Sequence, residues 1–293
     1  MKADDPMHII LPMCNPERER SGFQVARILA DTLGASLRVT TAGASKPTPQ
    51  DLARQLSVPA EQLDDVAIEN IAGNLADATI RMADALQRAM VVLAIRFRDE
   101  APPDGAQIFD AIAQQILEKI TGPVLVVPPD RDMSGWHLRK ELLPQDGTPN
   151  CASALTQLIS QSVQMGIENL VLRVAGARVG QPTEPGSLAT PRYVDHPQYE
   201  WEAWGREFLD RITGAGTAPG AAGLRLLMAS GEPAAEILRV AQEEAVDLIV
   251  LPWHCAFGSG RARMVKAVLR DTACPVLLLP EVCDDQDGQT DQH

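Results

Sequence analysis

The run Gly258-Ser259-Gly260-Arg261-Ala262-Arg263 combines the residue types that hold an anion. Its glycines let backbone N–H groups approach a ligand closely, Ser259 supplies a hydroxyl, and two guanidiniums supply positive charge. A helix follows, so the run sits at a helix N-terminus, where unpaired N–H groups and the helix dipole favour negative charge. The implied chemistry is the binding of a phosphate. The competing reading is a surface loop capped by Ser259, with both arginines in solvent. His254 and Cys255 stand just before the run. A metal needs three or four ligands and no second His/Cys cluster is visible, so no metal is expected. A reactive Cys255 would need the helix terminus and the arginines to lower its pKa. The expectation is an unreactive pair at a strand end, and Cys14 is read the same way. With no nucleophile elbow, no Walker A sequence, no GxGxxG and no paired carboxylates in a catalytic context, no enzyme is expected.

The elements that must position this run are legible on either side of it. Val246 to Leu251 is an apolar strand entering the loop, and Cys274 to Pro280 is a second buried strand after the helix. Earlier in the chain the same alternation recurs. His8-Ile9-Ile10-Leu11 reads as a strand, Gly22 to Leu33 as a helix, Ser36 to Thr40 as a strand, and Gln50 to Val58 as a short helix. Val66-Ala67-Ile68 is a weaker strand, the stretch from Gly73 to about Arg88 a helix, and Met90 to Ile95 a strand. A loop from Asp99 to Gly105, a helix to Ile120 and a strand Pro123 to Pro128 follow. The pattern then repeats. Leu142-Leu143-Pro144-Gln145-Asp146-Gly147 parallels Ile10-Leu11-Pro12-Met13-Cys14-Asn15, and Thr272-Ala273-Cys274-Pro275-Val276 parallels Ile120-Thr121-Gly122-Pro123-Val124. A repeat of this length is a duplicated domain. The expected organisation is a first domain over 1–130, a linker over 131–136, a second domain over 137–280 and an acidic tail over 281–293. Strands alternating with helices imply an α/β fold of two doubly wound parallel sheets with helices on both faces. Ligands in such sheets bind at the carboxyl ends of the strands, where strand order reverses.

Composition narrows the partners. The net charge is −13 over 293 residues, which repels nucleic acid and anionic membrane surfaces. The five cysteines are scattered and without CxxC spacing, which fits a reducing cytoplasm. The N-terminus has no apolar signal region, and no run of about 18 apolar residues occurs. A cytoplasmic protein is expected. The stretch Arg192 to Phe208 holds five of the chain's eleven Phe, Trp and Tyr residues. Tyr199, Trp201 and Trp204 are therefore candidates for docking a protein partner, although the spacing of Trp201, Trp204 and Phe208 also suits one buried helix face.

The chain resembles a tandem universal stress protein of the UspA-like family. The carrying residues are Leu143-Pro144-Gln145-Asp146-Gly147-Thr148, Gly231-Glu232-Pro233-Ala234, Asp247-Leu248-Ile249-Val250 and Cys274-Pro275-Val276-Leu277-Leu278. The resemblance implies five-stranded parallel sheets in the order 3-2-1-4-5. It also implies domain pairing through the last strands, Val124 to Val127 against Val276 to Leu279, which would form inside one chain the dimer that single-domain members form between chains. Many members bind ATP through an Asp after the first strand and a Gly-x-x-Gly, nine-residue, Gly-Ser/Thr motif. Asp146 stands at the Asp position, but Pro252, Trp253, His254 and Cys255 stand at Gly-x-x-Gly, and Ala262-Arg263 at Gly-Ser. In the first copy Cys14 replaces the Asp, Ala94 to Phe97 replace the glycines, and Asp99, Glu100 and Asp104 would repel a triphosphate.

The resulting expectation is a stress-associated regulatory binding protein. Its second domain would take ATP, ADP, AMP or another phosphorylated small molecule through Asp146, Gly147, Thr148, Val174, His254, Gly258, Ser259, Gly260, Arg261 and Arg263. The alternatives are a nucleotide-free adaptor working by protein contacts and, more weakly, a slow ATP hydrolase. A homodimer and a protein partner are both compatible with the sequence.

Overall fold

The computed structural model describes residues 6–13, 16–86, 88–95, 111–129, 131–145, 158–159, 161–175, 224–253 and 262–280. In the first half, strands β1 (His8–Met13), β2 (Ser36–Ala42), β3 (Ala67–Ile71), β4 (Ala89–Ala94) and β5 (Val124–Val127) alternate with helices α1 (Pro16–Leu33), α2 (Pro49–Leu56), α3 (Leu75–Ala85) and α4 (Ala111–Lys119). In the second half come β6 (Lys140–Gln145), β7 (Glu168–Ala175), β8 (Leu224–Ser230), β9 (Leu248–Trp253) and β10 (Val276–Pro280). With them stand α5, helical at 158–159 and 161–164, α6 (Pro233–Glu243) and α7 (Ala262–Asp271). Several strand ends differ by two or three residues from the sequence expectation, β1 running through Pro12 to Met13 among them, and two helix boundaries differ as well. Helix α1 begins at Pro16 rather than Gly22, because proline is accommodated in a first helical turn whose N–H groups have no partner inside the helix. Helix α3 ends at Ala85, where the Leu86 N–H bonds the Ala83 carbonyl and closes the last turn.

The strands form one ten-stranded sheet in the order β3-β2-β1-β4-β5-β10-β9-β6-β7-β8. Each half has the expected order, and the expected pairing of the last strands joins the two halves into one sheet. The seam is the antiparallel pair β5–β10, with Val276 opposite Val126, Leu277 opposite Leu125 and Leu278 opposite Val124. These strands are apolar on both faces because helices cover both. One core runs under α3, α4, α6 and α7 across both halves. The other runs under α1 and α2 and continues to Leu143, Ile159 and Val250 of the second half.

The segment between the halves is part of that second core. Met133 and Trp136 are buried, at 7% and 9% exposure. The buried Gln24 side chain of α1 donates from Nε2 to Asp132 Oδ1 (3.0 Å) and accepts the Met133 N–H (2.7 Å). At the other end, Trp136 Nε1 donates to the Asp247 carbonyl (2.9 Å), and Asp247 Oδ2 accepts the N–H groups of Arg139 and Lys140 (both 2.9 Å). The aspartate before β9 is thus a clamp on the chain entering β6. Asp247→Ala removes two hydrogen bonds to a charged acceptor and is expected to cost about 2 kcal/mol, read as a lower urea midpoint. An unchanged midpoint would mean that solvent replaces the carboxylate without loss.

Candidate functional site

Strand order reverses at β1/β4 in the first half and at β6/β9 in the second. At both places the strands part. The β6–β9 ladder covers only Glu141–Leu248 and Leu142–Ile249, whereas β6 pairs with β7 along its whole length. Likewise β1 pairs with β4 only through Ile10–Val91. Proline accounts for the stop. The Asp247 N–H bonds the Lys140 carbonyl, so residue 140 faces β9, and alternation along the strand turns 142 and 144 the same way. Pro144 therefore stands where a donor to β9 is required. On the facing strand the Ile249 N–H bonds the Pro275 carbonyl of the chain entering β10. Residues 250 and 252 therefore turn toward β6, and Pro252 withholds the opposite donor. The His8 N–H bonds the Arg88 carbonyl, which places Pro12 in the same role in the first half. A proline cannot extend the ladder, so a crevice opens at the carboxyl ends.

The two crevices differ chemically. In the second half β6 ends on Gln145, only 5% exposed, whose Nε2 has no hydrogen-bond partner among the described residues. In the first half the equivalent residue is Met13, buried at 7% exposure, and Ile95 is buried at the end of β4. Helix α1 closes on that crevice at Gly22, where an added Cβ would lie 3.3 Å from Leu11 Cδ1 and 3.4 Å from Ala94 Cβ. The Glu19 carboxylate lies at the same place, 3.6 Å from that added Cβ, so the contrast between the halves is Met13 in the first against the buried Gln145 donor in the second.

Of the residues expected from sequence, Val174 is half-buried at the end of β7 and packs on the core under α6 and α7. Arg263 is exposed in the first turn of α7, which covers that same face. Asp146, Gly147, Thr148, His254, Gly258, Ser259, Gly260 and Arg261 lie outside the described residues, as do Tyr199, Trp201, Trp204, Cys14 and Cys255. Trp253, at the second position of the altered Gly-x-x-Gly, is 5% exposed and buried in the core under α7. Cys274 is half-buried beside the core. Burial raises its thiol pKa, an effect that a hydrogen bond with Thr272 partly offsets, so it is a poor nucleophile. No group of three His, Cys, Asp or Glu able to hold a metal occurs among the described residues. No helix among them is long and apolar enough to cross a membrane. Gln145 was missed in the sequence because its neighbour Asp146 carried the motif. The signal was its contrast with Met13 in the repeat.

Residues 138–280 match the family model described as the universal stress protein family. Among curated proteins none is similar enough in sequence to count as a match. Among solved structures, a universal stress protein from Archaeoglobus fulgidus DSM 4304 is similar at TM-score 0.57 and 17% identity, covering 95% of this chain and 97% of that one. A functionally unknown protein from Pseudomonas aeruginosa PAO1 is similar at TM-score 0.63 and 17% identity, covering 94% and 93%. These likenesses establish the fold over nearly the whole chain.

Proposed function

We propose, from the premise that residues 138–280 belong to the universal stress protein family, that this chain is a tandem regulatory protein whose second half binds a nucleotide or another phosphorylated small molecule. The domains are the two halves on either side of the β5–β10 seam, 1–130 and 137–280. The carrying observation is Gln145, a buried amide donor without a partner among the described residues, at the carboxyl end of the central strand where β6 and β9 separate. A buried donor left unpaired is costly, and a ligand acceptor beside it would recover that cost. Asp146, next in the chain, is the residue that the family resemblance assigns to the nucleoside. Gly258 to Arg261 and Arg263 supply the phosphate side of the reading. The departure at Pro252 and Trp253 goes against backbone N–H groups at that strand end cradling the phosphates, so the ligand's charge falls to the arginines. The first half, with Met13 in place of Gln145, serves as the structural copy.

The test is calorimetric titration of the full chain with ATP, ADP and AMP. Binding of at least one is expected. Gln145→Met, which copies the first half, is expected to weaken it by about ten-fold, and Asp146→Ala with Arg261→Ala to abolish it. No heat and no thermal shift at millimolar nucleotide would sink the reading.

A further inference from the structure

On the face covered by α1 and α5, a cavity of about 590 Å³ lies between the two helices over the central strands of the sheet. Leu29 and Leu33 of α1 form one wall, Leu158 and Met165 the other, and Leu125 and Leu277 of the seam the floor. A volume in this range suits a small organic molecule. Thr32, Arg88, Gln161, Ser162 and Gln164 also line the cavity, and Glu141 is the one carboxylate among its lining residues. Glu141 of β6 is 0% exposed, and neither carboxyl oxygen has a hydrogen-bond partner among the described residues. The repeat shows that the fold does not need an acid there, since the equivalent strand position in the first half is Ile9, also 0% exposed, in the other copy of the same core face. Ser162 lines the cavity beside Glu141, and its hydroxyl relieves only part of the effect of burial on the carboxyl. Arg88, the other charged residue on the wall, is partnered already. Met165 is 44% exposed and stands as an uncovered apolar surface on the cavity wall.

We infer that this cavity at the junction of the two halves binds a small, largely apolar molecule carrying one amino group, whose ammonium is received by the Glu141 carboxylate. The leucine and methionine side chains of the walls and floor reward the apolar body, and a buried carboxylate without a counterion among the described residues selects a cation over a neutral or anionic head. The site lies between the helices rather than in the crevice at the end of β6. It is therefore independent of the nucleotide reading, and either can fail alone.

The probe is tryptamine, titrated calorimetrically into the full chain at pH 8 beside tryptophol, which carries a hydroxyl in place of the amine. Tryptamine is expected to bind at least about ten-fold more tightly than tryptophol, the factor that one charge-assisted hydrogen bond supplies. Glu141→Gln is expected to remove that preference, and Met165→Trp, which places an indole in the cavity, to weaken both compounds. Millimolar ATP should leave tryptamine binding unchanged. Absence of tryptamine binding, equal binding of the two compounds, or a preference surviving Glu141→Gln would each overturn the assignment, as would competition by ATP. Should Glu141→Gln fail to fold, Met165→Trp decides alone: undiminished tryptamine binding in that variant places the ligand elsewhere.

Discussion

Trp136→Ala is expected to destabilise the protein by about 4 kcal/mol, the loss typical of truncating a buried tryptophan. Trp136 is 9% exposed in the core shared by α1 and the second half, and its indole N–H closes a 2.9 Å bond to the Asp247 carbonyl. Removing the ring therefore opens a cavity between the halves and frees the chain entering β6. Trp136→Phe keeps most of the packing and loses the hydrogen bond, so it should cost about 1 kcal/mol from the bond beyond a small packing loss. Guanidinium denaturation followed by circular dichroism separates the two. A midpoint in Trp136→Ala equal to that of the parent would show that residues 131–136 are a tether lying on the surface, and would refute their role as core.

Glu141→Gln is expected to act in the opposite direction and only above acidic pH. Burial raises the Glu141 carboxyl from its ordinary value to about 7, with the nearby Ser162 hydroxyl offsetting part of the shift. The folded state therefore holds a proton that the unfolded chain releases near pH 4.5. Between that value and about 7 the folded form binds more protons, so stability falls as pH rises. Below this window the acid costs nothing through ionisation. Above it the cost levels off at about 3 kcal/mol, following the rule of 1.36 kcal/mol per pKa unit. Glutamine cannot ionise, so the variant should match the parent near pH 4 and exceed it by a few kcal/mol at pH 8. Thermal unfolding across that range measures the difference directly. Parallel curves for parent and variant would mean that Glu141 is solvated or paired in solution.

Much of the architecture could be read from the chain because its signals are local. Apolar runs such as Ile9 to Leu11, Met90 to Leu93 and Val276 to Leu279 mark strands covered on both faces. The recurrence of Leu-Pro before Met13 and Gln145 and of Pro-Val at the start of β5 and β10 announced the duplication. Pairing of the last strands followed from the family resemblance and matches the observed register. The candidate site was less legible. Asp146 and the Gly258 loop were visible as motifs, but the importance of Gln145 depends on burial and on the absence of a partner among the described residues, which no residue type reveals. The prolines were visible too. Their effect was not, because which neighbour a strand N–H faces is known only once the strands are assembled.

By itself, then, the sequence determined the element order and the two copies, since periodicity and turn chemistry act over a few residues, while the strands that join the copies were implied by the family resemblance. Only the tertiary structure decided the rest. It set the register of β5 against β10, buried the 131–136 segment against Gln24 and Asp247, buried Met13 and Ile95 in the first half, and left Glu141 beside a cavity without a hydrogen-bond partner among the described residues. Each of these is a matter of what lies within a few ångströms across long separations in the chain. Desolvation and hydrogen-bond pairing, which set the energy of such contacts, have no counterpart in the order of residues.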